Sequence, residues 1–343
     1  MLNWFRRNRT SPAADPQDPV DSGGVEAGRE PWPAGGLDPP HPAVPPAMTA
    51  SGLWDVISRR TQDVLASIPG PPGRSDAHAV IASFAEGLDT AIGQPPFAAQ
   101  RALAVSRNPH SSVDDLARLF ASDPGLAQAL LSHANSSFYA RVGEHCASLA
   151  SAVQRIGSSG VESVLLANTV RGVLCRPGGN YSRLVDQVWF HMVRTGPIAR
   201  LIAPAFQVES ERAFSMALLH DAGKLVMFEQ VSNYRKNHRR EVSLPQPVLL
   251  QALRELHEPI GGLAALRWGL EDRSARAITT HHRDPVPGYP DPLSEVLHLA
   301  EKLDLAAVNA RPLDLEAAWE TGELTGDLAM VRSLLDQGLR EAA

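Results

Sequence analysis

The sequence predicts an all-α fold: a globular, multi-helix array with an N-terminal helical subdomain behind a disordered N-terminal tail. Three observations carry this. Hydrophobic residues make up 43% of the chain but aromatics only 6%, and the apolar set is rich in Ala and Leu, which favours helices packed closely on helices. Helix start signals recur along the chain, with Ser or Asp caps followed by Pro or acidic residues. No stretch shows the apolar–polar alternation of a half-buried strand.

Each element follows in order. Residues 1–50 hold ten of the 28 prolines, many Gly and Ala, and no apolar period. Such a segment buries too little to offset its ordering entropy and reads as a disordered tail. Residues 51–93 read as a short helical lead-in: one amphipathic helix from Leu53 that ends before Pro69, and a second from Asp76 to Ile92. Residues 94–307 form the main domain, with halves 94–180 and 181–307. In the first half, Ser112 caps a helix bearing Val113, Leu116, Leu119 and Phe120. Asp123-Pro124 starts the next, with Pro at the first helical position. Helices over Leu149–Ile156 and Val161–Leu174 flank Gly157. The second half opens with Tyr181–Phe206, where Pro197 predicts a kink or break. It continues with Glu211 to about Phe228, Pro247–His257, Pro259–Gly269 and Asp272–His282. Asp291-Pro292 with Glu295 then caps a helix through Ala306. Residues 308–343 read as a C-terminal extension of one or two surface helices.

Charge and cysteine usage narrow the function. The net charge of −6 supplies no basic field to draw nucleic acid. Cys146 and Cys175 fit neither zinc nor redox spacing, and a reducing, cytoplasmic setting is the expectation. Met1 to Arg7 lead into polar and Pro residues, so no signal peptide is expected, and no run approaches the roughly 20 apolar residues of a membrane span. The basic run Arg235-Lys236-Asn237-His238-Arg239-Arg240 reads as a solvated loop.

The chemistry concentrates in Leu218-Leu219-His220-Asp221-Ala222-Gly223-Lys224. Imidazole and carboxylate are both good ligands for divalent metals, so adjacent His and Asp can approach one cation together. Further histidines stand on both sides, at 191, 257, 281 and 282.

Ala121-Ser122-Asp123-Pro124-Gly125-Leu126-Ala127, Ala134-Asn135-Ser136-Ser137-Phe138-Tyr139 and the run from Leu149 to Gly157 stand in the order found in the HDOD family. Trp189-Phe190-His191, the His220-Asp221 segment, His257-Glu258-Pro259-Ile260-Gly261 and His281-His282 continue it. The chain thus resembles the HD-related output domains of bacterial signalling proteins over roughly Gln94 to Ala307. That resemblance implies a fold shared with HD phosphohydrolases, which hold divalent metals on His, His-Asp and a distant Asp. By position, His191 matches the first histidine and His220-Asp221 the pair. Glu301 falls where the last Asp is expected, with Asp304 one turn further as the alternative. His257, His281 and His282 match extra ligands of the HD-GYP branch. Gly288-Tyr289-Pro290 follows one residue too close, behind a rewritten loop, Arg283 to Pro287.

The resemblance implies a metal site of His191, His220, Asp221, His257, His281, His282 and Glu301 that suits Mn, Fe, Co, Ni or Zn. Asp221 and Lys224 would be its catalytic groups, the lysine facing an anionic phosphate. Asn135, Phe138 and Tyr139 would fix a helix end and pack it against the HD-like half. The expected role is regulatory output through contact with other signalling proteins. A metal-dependent phosphohydrolase acting on a nucleotide or cyclic dinucleotide is the alternative.

Overall fold

The computed structural model describes residues 49–342 apart from 71–74, 94–103, 106–107, 109, 137–138, 140–144, 176–180, 240, 283–290 and 322. The expected tail through residue 48, Phe138, Arg240, and the Arg283–Pro290 loop with its Gly-Tyr-Pro lie outside the described residues. Every regular element among the described residues is helical. In chain order these are α1 (Ala50–Ser67), α2 (Asp76–Ala82), α3 (Leu88–Ile92), α4 (Val113–Ala121), α5 (Pro124–Ala134), α6 (Leu149–Leu174) and α7 (Ser182–Ile202). Then come α8 (Ser210–Ala217), α9 (Ala222–His238), α10 (Gln246–Arg267), α11 (Asp272–Thr279), α12 (Pro292–Val308), α13 (Leu315–Thr321) and α14 (Leu328–Ala342). No helix among them is long and apolar enough to cross a membrane.

Capping chemistry sets several of these starts. Ser112 and Asp115 form a capping box at α4, and Asp123 accepts the Gly125 and Leu126 N–H groups ahead of Pro124. Asp291 does the same for α12 through Leu293 N–H. Within α6, Gly157 takes a left-handed φ of 67°, so the two helical stretches legible in the sequence join across a kink there.

Several expectations change. The helix expected from Asp76 to Ile92 is α2 and α3, parted by a 3-10 turn over Ser83–Ala85. The helix expected from Glu211 to Phe228 is two helices, because α8 stops at Ala217 and residues 218–221 form a turn of short-range bonds before α9. His220 and Asp221 therefore sit at a corner, not on a helix face. Pro197 does not break α7. The helices expected over Pro247–His257 and Pro259–Gly269 are one, α10, with Pro259 inside it. Proline has no N–H for the Glu255 carbonyl four residues earlier, and Arg60 of α1 donates to that carbonyl at 2.8 Å instead. The basic run is no loop: Arg235 to His238 form the last turn of α9, where cations meet the negative end of the helix dipole, and Arg239 closes it at φ 50°.

The tertiary layout places α10 against α1, α9 and α11, while α7 packs on α8 and α12. The lead-in helices share the main core through Leu53, Ile57, Phe84 and Leu88. The C-terminal extension is anchored too. Thr325 bonds Glu295, Asp327 N–H donates to the Ala205 carbonyl, and Val331 is buried.

A buried polar network ties the two halves together. Asn135, just past α5, receives the Cys146 N–H at 2.8 Å and donates to its carbonyl at 2.9 Å. Tyr139 bonds Glu211 of α8, which also accepts from Arg200 of α7. Arg200 stacks on Phe214 and donates to His133 Nε2. Burial, aided by Arg200, pushes the His133 imidazole down to about 3. Its ordinary value near 6.5 returns on unfolding. Only the unfolded chain gains this proton between those values, so the neutral ring's contribution is full above pH 6.5 and is lost on acidification towards pH 3. His133→Gln keeps an acceptor for Arg200 and removes the titration. Urea midpoints at pH 7 and 4.5 should therefore differ less in H133Q than in the wild type; an equal drop would refute this.

Candidate metal centre

Five elements converge on one pocket. α7 supplies His191, the α8–α9 corner supplies His220 and Asp221, α10 supplies His257, the turn after α11 supplies His281 and His282, and α12 supplies Glu301. The approach of α9 to α10 depends on small residues. A Cβ on Gly223 would lie 1.9 Å from the His257 carbonyl oxygen, and Gly261 faces the Gly223 N–H and the His220 carbonyl.

Three overlapping groups have ligand atoms within 4.8 Å of one another: His191 with His220 and Asp221; Asp221 with His257, His281 and His282; and His220 with His281 and Glu301. Asp221 Oδ2 lies 3.7 Å from both His191 Nε2 and His220 Nε2, while Oδ1 lies 3.8 Å from His257 Nε2 and 3.7 Å from His281 Nε2. Glu301 spans the pocket likewise, with Oε1 3.8 Å from His191 Nε2 and Oε2 3.0 Å from His282 Nδ1. Asp304 does something else. One oxygen accepts from His191 Nδ1 at 2.7 Å, and Arg194 binds both. It orients the His191 ring, as carboxylates behind metal-binding histidines do.

The tautomers follow from the partners. His220, His257 and His281 each direct Nδ1 at a backbone carbonyl, of Ala217, Leu253 and Ile278, at 2.7, 2.6 and 2.6 Å. A carbonyl only accepts, so each Nδ1 carries the hydrogen and a neutral ring turns its Nε2 lone pair into the pocket. His191 and His220 then aim two Nε2 atoms at each other, 3.1 Å apart. Asp221 Oδ1, His257 Nε2 and His281 Nε2 are buried with no hydrogen-bond partner. Facing lone pairs and orphaned donor atoms are what a cation would satisfy. The residues fit a divalent transition metal.

Electrostatics agree. Burial holds His220 down to about 3 and His257 well below its ordinary value, so both are neutral donors at pH 7. Burial disfavours a charged Asp221 or Glu301. Lys224, followed by the neighbouring imidazoles, outweighs it at Asp221, and the surrounding imidazoles outweigh it at Glu301, so both carboxyls stay well below the usual carboxylate range. Burial likewise works against a charged His281, but Asp221, Glu258 and Glu301 outweigh it and raise that ring. Lys224 Nζ donates to Asp221 Oδ2 at 2.8 Å, so its ammonium lies inside the pocket.

Three residues of the surroundings were not singled out from the sequence as part of the site: Arg194, Glu258 and His298. Glu258 directly follows His257, and His298 lies three residues before Glu301 on the same face of α12. That spacing is the signal that could have found His298.

The HDOD domain model matches residues 92–284, more than half of the chain. A solved structure from Shewanella amazonensis SB2B, named as a phosphohydrolase, superposes with TM-score 0.57 at 19% identity, covering 77% of this chain and 94% of that one. A Marinobacter aquaeolei VT8 structure, named for signal transduction, gives 0.55 at 22%, covering 85% and 66%. An HDOD domain protein from Geobacter sulfurreducens gives 0.52 at 17%, covering 84% and 96%. At these identities the likeness concerns the fold. A curated Mycoplasma genitalium protein, named for nicotinate-nucleotide adenylyltransferase and Ap4A hydrolase, is 25% identical over 120 residues, 35% of this chain; the match spans 32% of that protein's length. The order of motifs, the helical array and the domain match together place this chain in the HDOD family.

Proposed function

We propose that this chain is a regulatory output protein of bacterial signalling that acts through contact with other signalling proteins, around a retained divalent-metal centre. The observation that carries this reading is a well-stocked donor set whose inner members are sealed. His220, Asp221, His257 and His281 are all 3% exposed or less. Structural metal sites are closed, whereas catalytic ones keep an open position. Two ions fit the donor pattern, since Asp221 and Glu301 each offer one oxygen to either half. His191, His220 and Asp221 would hold one ion, and Asp221, His257, His281 and His282 the other. Imidazole with carboxylate suits Mn, Fe, Co, Ni or Zn.

A metal-dependent phosphohydrolase is the second reading, favoured by Lys224 in the pocket and by the partly open rim of His191, Arg194 and His282. A bound metal would supply an activated water there, and Lys224 would meet an anionic phosphate. Elemental analysis of protein purified from its native cell should find stoichiometric transition metal, lost in His220→Ala with helicity retained. Assays on cyclic dinucleotides and simple phosphodiesters with added Mn or Fe should show no turnover. Absence of stoichiometric metal would end the metal reading, and hydrolysis abolished by Asp221→Ala would replace the contact reading with the second.

A further inference from the structure

We infer that Glu258 and His298 are positioning residues that clamp the peptide between His281 and His282 and so hold the second half of the metal centre. The inference rests on the metal reading above. His281 and His282 follow the end of α11, where Thr280 leaves helical geometry, so no helical ladder fixes them. Consecutive side chains leave the backbone in different directions, and both rings reach one pocket only if the intervening peptide is held in a single orientation. That peptide is gripped at both ends. Its N–H, on His282, donates to Glu258 Oε1 at 3.1 Å, and its carbonyl, on His281, accepts from His298 Nδ1 at 3.0 Å. Both side chains are buried, at 1% and 6% exposure. A third tie joins Thr280 Oγ1 to Ser294 Oγ at 2.6 Å.

The clamp comes from the helices that carry other ligands. Glu258 adjoins His257 on α10, and His298 stands one turn before Glu301 on α12. The same two contacts that orient the turn therefore lock it in register with ligands on two neighbouring helices. Glu258 Oε1 and His298 Nδ1 point at the peptide, and neither residue belongs to a ligand group found among the described residues. Outer contacts of this kind are worth about ten- to a hundredfold in metal affinity.

Paired variants test it. Glu258→Gln and His298→Asn keep the acceptor and the donor, whereas Glu258→Met and His298→Leu remove them. Metal equivalents by elemental analysis, the absorption spectrum of the Co(II) form and hydrogen exchange of the His282 amide in chelator-treated protein are the readouts. Wild type, E258Q and H298N should bind two equivalents with one spectrum. E258M and H298L should fall to one, or bind the second about ten- to a hundredfold more weakly. Loss in E258Q equal to that in E258M would make charge the cause and overturn the clamp, as would full loading of both E258M and H298L. If E258M does not fold, H298L against H298N decides. If the wild type binds no metal, the metal reading has failed, and exchange decides the clamp alone: the His282 amide should be protected in wild type and E258Q and exposed in E258M, and equal protection overturns it.

Discussion

Gly223→Ala is expected to lower stability by about 3 kcal/mol or more, beyond an ordinary overpacked core position. The added Cβ would stand 1.9 Å from the His257 carbonyl oxygen, 2.8 Å from its carbon and 2.7 Å from the Gly261 nitrogen. These are backbone atoms, so no side chain can swing aside, and α9 must separate from α10. That separation would carry His220 and Asp221 away from His257, and metal retention should fall with stability. Urea unfolding and elemental analysis of the same preparation check both. A G223A protein with an unchanged midpoint would show that the helices are not held this close.

Asp221→Ala is expected to act twice. It removes a carboxylate whose two oxygens face opposite pairs of imidazoles, so bound metal should be lost. It also removes the largest of the acidic neighbours that raise the buried Lys224 ammonium against burial, ahead of Glu301 and Glu258. Leaving one member of a buried ion pair costs about 3–5 kcal/mol. Measured in chelator, where metal cannot contribute, D221A should be destabilised by an amount of that order. D221A with Lys224→Met should recover part of the loss, because the buried ammonium that has lost its nearest carboxylate is then gone. If the double variant is no more stable than D221A, the ion pair is not what holds this corner.

The helix starts were legible because capping is local chemistry: Ser112, Asp123 and Asp291 each satisfy N–H groups within three residues of themselves. The break at 218–221 was not legible. Its apolar run continues the helical period, and short-range bonds over residues 218–221 replace the helical ladder just before Gly223 meets α10. Pro259 misled in the opposite direction. Nothing near it in sequence shows that Arg60, 195 residues away from Glu255, meets the orphaned carbonyl. Within the candidate site, residue types and order marked the candidate donors, but whether Glu301 or Asp304 faces the pocket depends on Arg194 and His191, which claim both oxygens of Asp304.

The residues alone determined an all-α fold, the family to which the chain belongs and the histidines and acids worth watching, since periodicity, caps and motif order are properties of neighbours along the chain. Tertiary structure alone decided that α1 completes α10, that Asp221 faces four imidazoles, and that Glu258 and His298 grip one peptide. Each of those depends on groups far apart in sequence meeting within hydrogen-bonding or ligand distance, and only the packed fold brings them there.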